Sequence, residues 1–332
     1  TLIVSLYVDD GLVASSSAEL YQKFLSEIQP EFTISDQGPL KQYLGVSITY
    51  DRENGRATLS QEKYTNDLLE KYQMANCKPA NTPLVSGRFL TGEDCIDKND
   101  PSAQADIKTY QSLVGGLLWL SNSTRPDISF AVNQLARYLS CPGQSHFIAA
   151  KRVLRYLAGT KKLGISFKRI DDEDLANVLI GYTDSDHAGN PEDRRSVTGF
   201  VFFLNGGPIA WSSKRQACIA ISSTEAEFYS ASQAGLDVVY HRRILDELGF
   251  SQQNPTVLYE DNMACIHLSK KDGQINRAKH IDTRVHRLRE LVRENVLTLV
   301  KVPTADQVAD IFTKALPYQA FSKLRSVLMN SV

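Results

Sequence analysis

Apolar positions change their spacing along this chain, and each change predicts an element. Leu2, Ile3, Val4, Leu6 and Val8 form one β-type run, and Leu12, Val13 and Ala14 form a second. Asp9-Asp10-Gly11 lies between them, which predicts a hairpin with two acids at its tip. From Ala18 to Ile28, Leu20, Phe24, Leu25 and Ile28 recur at helical spacing. Leu40 to Ile48 reads as a strand interrupted by Gly45, which either lets another chain approach close to the backbone or marks a bulge. A helix with Ser60 as its N-cap is expected to run to about Met74. Residues 76–104 lose all periodicity, interrupted by Pro79, Pro83, Gly87, Gly92 and Pro101, and predict a linker or long surface loop.

Beyond that break, Tyr110 to Leu120 is strongly apolar, and Thr124-Arg125-Pro126-Asp127-Ile128 ends one helix and opens the next. A further helix, Phe147 to Ala158, carries Lys151, Arg152 and Arg155. These cations either face a duplex, as phosphate contacts require, or form a solvated helix face. The charged seam Arg169 to Asp174 predicts a domain boundary. From Val178 the order becomes strand, strand, strand, helix, strand, helix. The predicted strands are Val178–Asp184, Val197–Leu204, Pro208–Ser212, Thr256–Tyr259 and Val296–Val302. Asn205-Gly206-Gly207 is a hairpin turn. A long helix capped by Ser223 or Thr224 runs towards Leu248, a basic helix spans His280 to Glu294, and a last helix spans Ala305 to Lys314.

Composition narrows the class without choosing a function. A length of 332 residues suggests two or three units of ordinary domain size. Hydrophobic content of 42% and charged content of 23% fit a globular chain, not a disordered tail or a membrane protein. A net charge of −1 means that a polyanion would have to be held by local patches. Cys77, Cys95, Cys141, Cys218 and Cys265 are far apart in sequence and odd in number, which argues for reduced thiols inside a cell and against a zinc site. Because the chain enters at Thr1 directly on a strand-like run, it reads as an internal piece of a longer product.

Candidate chemistry centres on Ile180 to Asn190, where an apolar approach ends in Thr183-Asp184-Ser185-Asp186 ahead of Gly189. Asp-x-Asp before a glycine is either a carboxylate delivered to a sheet edge or ordinary turn chemistry. Other acids stand at element ends: Glu225 and Glu227 in the first turn of the long helix, Asp261 after the fourth strand of this half, and Asp310 in the last helix. Asp184 and Asp186 share strand parity, so alternation does not separate them. Glu225 and Glu227 are roughly 200° apart around a helix axis, so only one can face a common point.

The motifs Tyr7-Val8-Asp9-Asp10, Tyr110 to Gly116, Thr124 to Ile128, Tyr182 to Asp186, Ser222 to Glu227, Glu260-Asp261-Asn262, Lys279-His280-Ile281 and Ala309 to Lys314 occur in one order over nearly the whole chain. Together they resemble the Pol polyprotein of copia-type long-terminal-repeat retrotransposons, from the end of reverse transcriptase through ribonuclease H. The resemblance implies a mixed α/β (α+β) class. A ribonuclease H-like fold with a mixed five-stranded sheet and flanking helices would span 173–332, preceded by partial palm and thumb (1–75), a linker (76–104) and a helical connection segment (105–172). It further implies cleavage of the RNA strand of RNA–DNA hybrids with two Mg²⁺ ions, Mn²⁺ being the alternative, held by Asp184, Glu227, Asp261 and Asp310. Asp184 is preferred to Asp186 because Thr183-Asp184 with the later Gly189-Asn190 matches the pattern of cellular ribonucleases H. Glu227 is preferred to Glu225 because Phe228-Tyr229-Ser230 follows it. His187 stands beside the site as an assistant or a bystander, since the mobile histidine of cellular relatives has no counterpart in Val302 to Gln307.

By the same resemblance, Asp9 and Asp10 are the polymerase-motif metal pair, and Lys279, Arg284, Arg287, Lys151 and Arg155 contact hybrid or duplex nucleic acid. Arg284 and Arg287 could equally pair with Asp282 and Glu290 on a solvated helix. The earlier acidic strand and the fingers of a polymerase lie outside this sequence, so polymerisation is not expected of the chain alone. Two other readings remain: an inactive nucleic-acid-binding remnant of a decayed element, or part of a full reverse transcriptase joined to upstream polyprotein segments. The expected location is intracellular, in cytoplasmic virus-like particles with the nucleus as a second compartment, and not in a membrane.

Overall fold

The computed structural model describes residues 1–97, 99–189, 191–270 and 279–331, leaving aside the side chains of 102, 279–285 and 330–331. The chain opens with the expected hairpin, β1 (Leu2–Tyr7) against β2 (Asp10–Ser15), in antiparallel register with Tyr7 opposite Asp10. Helix α1 (Ala18–Ile28) follows, its first turn capped by Ser17 Oγ, which accepts from the Leu20 amide at 3.2 Å. The single strand expected over Leu40 to Ile48 is two strands, β3 (Gln42–Tyr43) and β4 (Val46–Asp51), paired antiparallel. Leu44 and Gly45 take φ of 47° and 77°, so Gly45 belongs to the reversal between strands and is neither a bulge nor a flat strand position.

Strand β5 (Arg56–Ser60) includes Ser60, and helix α2 (Glu62–Lys71) begins after Gln61. Ser60 is therefore not the N-cap. Gln61 takes that position, and its side-chain oxygen accepts from Thr124 Oγ1 at 2.9 Å instead of capping the helix. Residues 76–104 contain two 3₁₀ turns, Gly92–Asp94 and Pro101–Ala103, and are strapped to the helices that follow. The Ala80 amide donates to Arg155 O at 3.1 Å, Arg155 Nε to Lys78 O at 2.7 Å, and Tyr138 Oη to Leu90 O at 2.8 Å.

Helices α3 (Gln104–Ser123), α4 (Ser129–Ala136) and α5 (Gln144–Ala158) form the middle of the chain. Arg125 is fully buried among them and is satisfied on every side. It pairs with Asp127 through Nε and Nη2 at 3.0 and 2.9 Å and reaches Thr160 O at 3.0 Å, while Tyr156 Oη donates to Asp127 at 2.5 Å. The stretch after α5 forms β6 (Leu163–Lys168), which pairs antiparallel with β5, Leu59 opposite Ile165.

The second half builds a sheet from β7 (Ile180–Ser185), β8 (Val197–Leu204), β9 (Gly207–Arg215), β10 (Thr256–Glu260) and β11 (Leu297–Lys301), ordered β11-β10-β7-β8-β9. β7, β8 and β9 are antiparallel in succession, and β10 runs parallel to both β7 and β11. Helices α6 (Ser223–Glu247), α7 (Met263–Lys270) and α8 (Lys279–Arg293) complete one side of it. The expected last helix over Ala305 to Lys314 is instead two 3₁₀ turns, Thr304–Asp306 and Val308–Phe312. A further helix, α9 (Tyr318–Leu328), and a short strand, β12 (Asn330–Ser331), lie beyond them. β12 pairs with β6 and joins the sheet β12-β6-β5-β4-β3, so the last residues close on the first third of the chain.

Two hydrophobic clusters flank the β7–β11 sheet. One face packs Phe200, Phe202, Leu258 and Leu299 against Phe228, Ala231 and Val238 of α6 and Leu288 and Leu291 of α8. The other places Val201 and Phe203 in a cluster with Ile311, Phe312 and Phe321 that continues into Tyr110, Leu113, Leu117 and Leu154 of the middle helices. The seam at Arg169 to Asp174 thus separates two stretches of sequence that share one core.

Candidate metal centre

β7, the central strand of its sheet, delivers Asp184 near its C-terminal end, with the residue 2% exposed. The strand end is held from three directions. Ser230 Oγ of α6 donates to Asp184 O at 2.7 Å, Gln307 Nε2 donates to Thr183 O at 2.9 Å, and the Ser185 amide donates to Glu227 Oε2 at 2.8 Å. Carboxylate oxygens of Asp184, Glu227 and Asp261 lie within 4.8 Å of one another. Each comes from a different element: β7, the start of α6, and the residue after β10.

Asp310 reaches the far side of Asp184 from the 3₁₀ turn Val308–Phe312. Lys314 binds both acids, its Nζ 2.7 Å from Asp310 Oδ1 and 3.8 Å from Asp184 Oδ2, while Thr313 Oγ1 donates to Asp184 Oδ2 at 2.5 Å. This approach depends on Gly199, which sits opposite Asp184 on β8. A Cβ there would lie 2.5 Å from Thr313 Cγ2 and 2.9 Å from Phe312 Cβ.

Crowding of acids in a dry pocket shows in their proton affinity. Burial, then the charges of Glu260 and Asp184, hold Glu227 well above the usual carboxylate range. Asp310 is pushed up to about 7 by burial and then by Asp184, with Lys314 opposing both. Glu260, absent from the sequence-based candidates, is fully buried beside Asp261. Its Oε1 accepts from the Asn262 amide at 2.9 Å, its Oε2 has no hydrogen-bond partner among the described residues, and burial raises its pKa strongly. Lys314 was also missed, although its spacing of four from Asp310 was the available signal. For Glu260 the sequence offered only adjacency to Asp261, since strand alternation sends neighbours to opposite faces.

The remaining candidates fall elsewhere. Asp186 turns back to its own loop, where it accepts from the Val197 amide, and burial raises it to about 6. His187 is exposed, and Asn190 lies outside the described residues. Glu225 Oε2 accepts from the Ile221 amide at 2.8 Å, while Ser222 Oγ accepts from the Glu225 amide at 3.2 Å. Ser222 is thus the N-cap of α6 in place of Ser223 or Thr224, and Glu225 serves the helix start. Asp9 and Asp10 are exposed at the hairpin tip, with no third metal-binding side chain beside them among the described residues.

Of the basic candidates, Lys151 is exposed, Arg155 is engaged by Lys78 O, and Arg287 pairs with Glu290 at 2.5 Å. Lys279 and Arg284 lie on α8, with their side chains outside the described residues. Arg289 of the same helix is buried and donates to Leu268 O at 2.8 Å, tying α8 to α7.

The donor set suits a hard divalent cation, for it offers only carboxylate oxygens. A mixed five-stranded sheet with flanking helices, carrying acids from several elements to one point, is the mixed α/β architecture expected from the sequence. Residues 1–86 match the family model described as reverse transcriptase (RNA-dependent DNA polymerase). The chain is 38% identical to a retrovirus-related Pol polyprotein from transposon TNT 1-94 of Nicotiana tabacum, over 98% of this chain and 24% of that protein. A transposon Ty5-1 protein of Saccharomyces cerevisiae is 34% identical over 71% of this chain and 74% of its own length. The chain belongs to the copia-type retrotransposon Pol polyproteins, and it spans about a quarter of the length of the tobacco relative. A ribonuclease H1 isolated from compost is similar in structure over 44% of this chain and 97% of its own, at 18% identity and a TM-score of 0.33. Among the described residues no helix is long and apolar enough to cross a membrane.

Proposed function

We propose that this chain is the ribonuclease H of a retroelement polyprotein and hydrolyses the RNA strand of RNA–DNA hybrids. The observation that carries the reading is the convergence of Asp184, Glu227 and Asp261 within 4.8 Å from three separate elements. Turn chemistry needs no such convergence, whereas chemistry at a divalent cation does. Asp184, Glu227, Asp261 and Asp310 would hold Mg²⁺, with Mn²⁺ as the alternative. When bound, the ions supply acidification of water and neutralisation of charge on phosphate oxygens. The chain's own part is positioning. The Ser185 amide aims Glu227, Thr313 and Lys314 hold Asp184, and the ammonium of Lys314 offsets the negative charge that the acids concentrate.

Exposed Lys151, with Lys279 and Arg284 on α8, is proposed to contact the hybrid backbone, and Arg287 does so only by leaving Glu290. No polymerase chemistry is proposed for the chain by itself, since Asp9 and Asp10 have no third acid beside them among the described residues. Incubation with an end-labelled RNA–DNA hybrid tests the reading. RNA cleavage that requires Mg²⁺ or Mn²⁺ and falls at least about a thousandfold in Asp184→Asn and Asp261→Asn is expected, as for loss of a group on which charge stabilisation depends. Cleavage that survives both substitutions, or none by the unaltered chain, overturns it.

A further inference from the structure

Cys95 and Cys141 are 46 positions apart in sequence, yet their sulfurs lie 2.9 Å apart. Ordinary nonbonded contact is roughly 3.5 Å or more, and a disulfide bond about 2.05 Å, so the two thiols are already inside contact distance. Their neighbours fix them there. Asp94 accepts from the amide and the hydroxyl of Ser145 at 2.7 and 2.8 Å, and His146 Nε2 meets Thr91 O at 2.9 Å while its ring stacks on Tyr138. A third segment enters the same junction. Glu192, from the loop that follows the candidate metal centre, accepts from the Gly92 amide at 2.5 Å, lies 3.0 Å from Tyr138 Oη, whose proton it shares with Leu90 O, and pairs with Arg137 at 3.2 Å.

We propose that Cys95 and Cys141 form a redox-convertible staple, closed by a small-molecule disulfide such as oxidised glutathione, that restrains the loop bearing Asp186 and His187 through Glu192. One protein thiolate attacks the small disulfide and releases one small thiol. The second protein sulfur, losing its proton to solvent, displaces the other, so two protein thiols and one small disulfide give one protein disulfide and two small thiols. Both cysteines are part-exposed, so a small reagent reaches them. Burial, then contact with Cys141, pushes the Cys95 thiol up to about 12, so its thiolate is scarce and closure is slow at neutral pH. Such a staple suits a protein kept reduced in ordinary conditions and altered only under oxidation.

The test uses the full chain. After incubation with oxidised glutathione, alkylation under non-reducing conditions is expected to find three free thiols of the five. Peptide mapping is expected to find Cys95 joined to Cys141. The melting temperature should rise by several degrees and return on addition of dithiothreitol, and proteolytic cutting within residues 186–196 should slow at least about threefold, as constraint of local opening requires. Cys95→Ser, or Cys141→Ala if the first does not fold, should lose all these changes, whereas Cys218→Ser should keep them. Five alkylated thiols, a different pair, or the same melting shift in Cys95→Ser overturns the staple. Unchanged cutting in 186–196 overturns its link to that loop.

Discussion

Glu225 and Glu227 carry the same group two positions apart, and the helix start decides what each does. Glu225 is turned to the Ile221 amide, so Glu225→Ala should cost about 1 kcal/mol, as loss of a helix-start hydrogen bond does, and leave metal binding unchanged. Glu227 is 6% exposed among other acids, so Glu227→Gln should raise the melting temperature of the metal-free chain while weakening Mn²⁺ binding at least about tenfold, as loss of one charged ligand implies. Calorimetric titration and thermal unfolding of the two variants separate these outcomes, and equal effects of both on metal binding would refute the assignment. The helix period limited the choice to one of the two, and the residues after Glu227 favoured it. The proton on Asp310 was not legible, because it depends on Lys314, Thr313 and Asp184 meeting in space. Its pKa is raised from 3.8 to about 7, so the folded chain holds a proton that the unfolded chain has released between those values. That contribution to stability is full near pH 4 and lost as the pH rises through about 7. The melting temperature of the metal-free chain minus that of Asp310→Asn should therefore fall across this window, and a flat difference would show that Asp310 is not perturbed.

At the scale of elements, strands of the second half were legible where apolar runs met turn residues. β8 begins and ends where the pattern placed it, because Phe200 to Leu204 is continuously apolar behind the β-branched Val197 and Thr198, and Asn205-Gly206 stops it. β6 and β12 escaped notice since each gains its strand character from a partner far away in sequence, and β12 is only two residues long. The 3₁₀ turn carrying Asp310 was read as a helix because Val308, Ile311 and Phe312 have helical spacing, a pattern that about 3.6 residues per turn and about three satisfy almost equally over five positions. What sets this turn against β8 is the missing side chain of Gly199. Gly199→Val should push Phe312 and Thr313 away from the sheet, given a Cβ 2.5 Å from Thr313 Cγ2. A loss of about 2 kcal/mol is expected, typical of overpacking, together with weaker Mn²⁺ binding while the far-ultraviolet circular dichroism is retained. Unaltered metal binding would mean that the Asp310 turn keeps its place by other contacts.

Across the whole molecule, the end of the chain returns to β6 in its middle, and the units read from sequence share their interior. A charged seam looks like a boundary because few apolar residues lie in it, but composition does not report which apolar faces will find each other. Val201 and Phe203 of the β7–β11 sheet, Ile311, Phe312, Phe321 and Leu324 pack with Tyr110, Leu113, Leu117 and Leu154 of α3 and α5. β12 also pairs with β6, which itself pairs with β5 before α2. A fragment cut at residue 173 would expose that face, more apolar surface than a soluble monomer ordinarily shows. It is expected to aggregate or to unfold well below the melting temperature of the full chain. Removal of residues 1–15, whose hairpin exposes Leu6, Tyr7 and Val8 at 77%, 58% and 87%, should change the melting temperature by no more than about 2 °C, since it leaves that core intact. Size-exclusion chromatography and thermal unfolding of the two truncations decide the matter. A monomeric 173–332 fragment as stable as the full chain would show that the sheet folds without the middle helices.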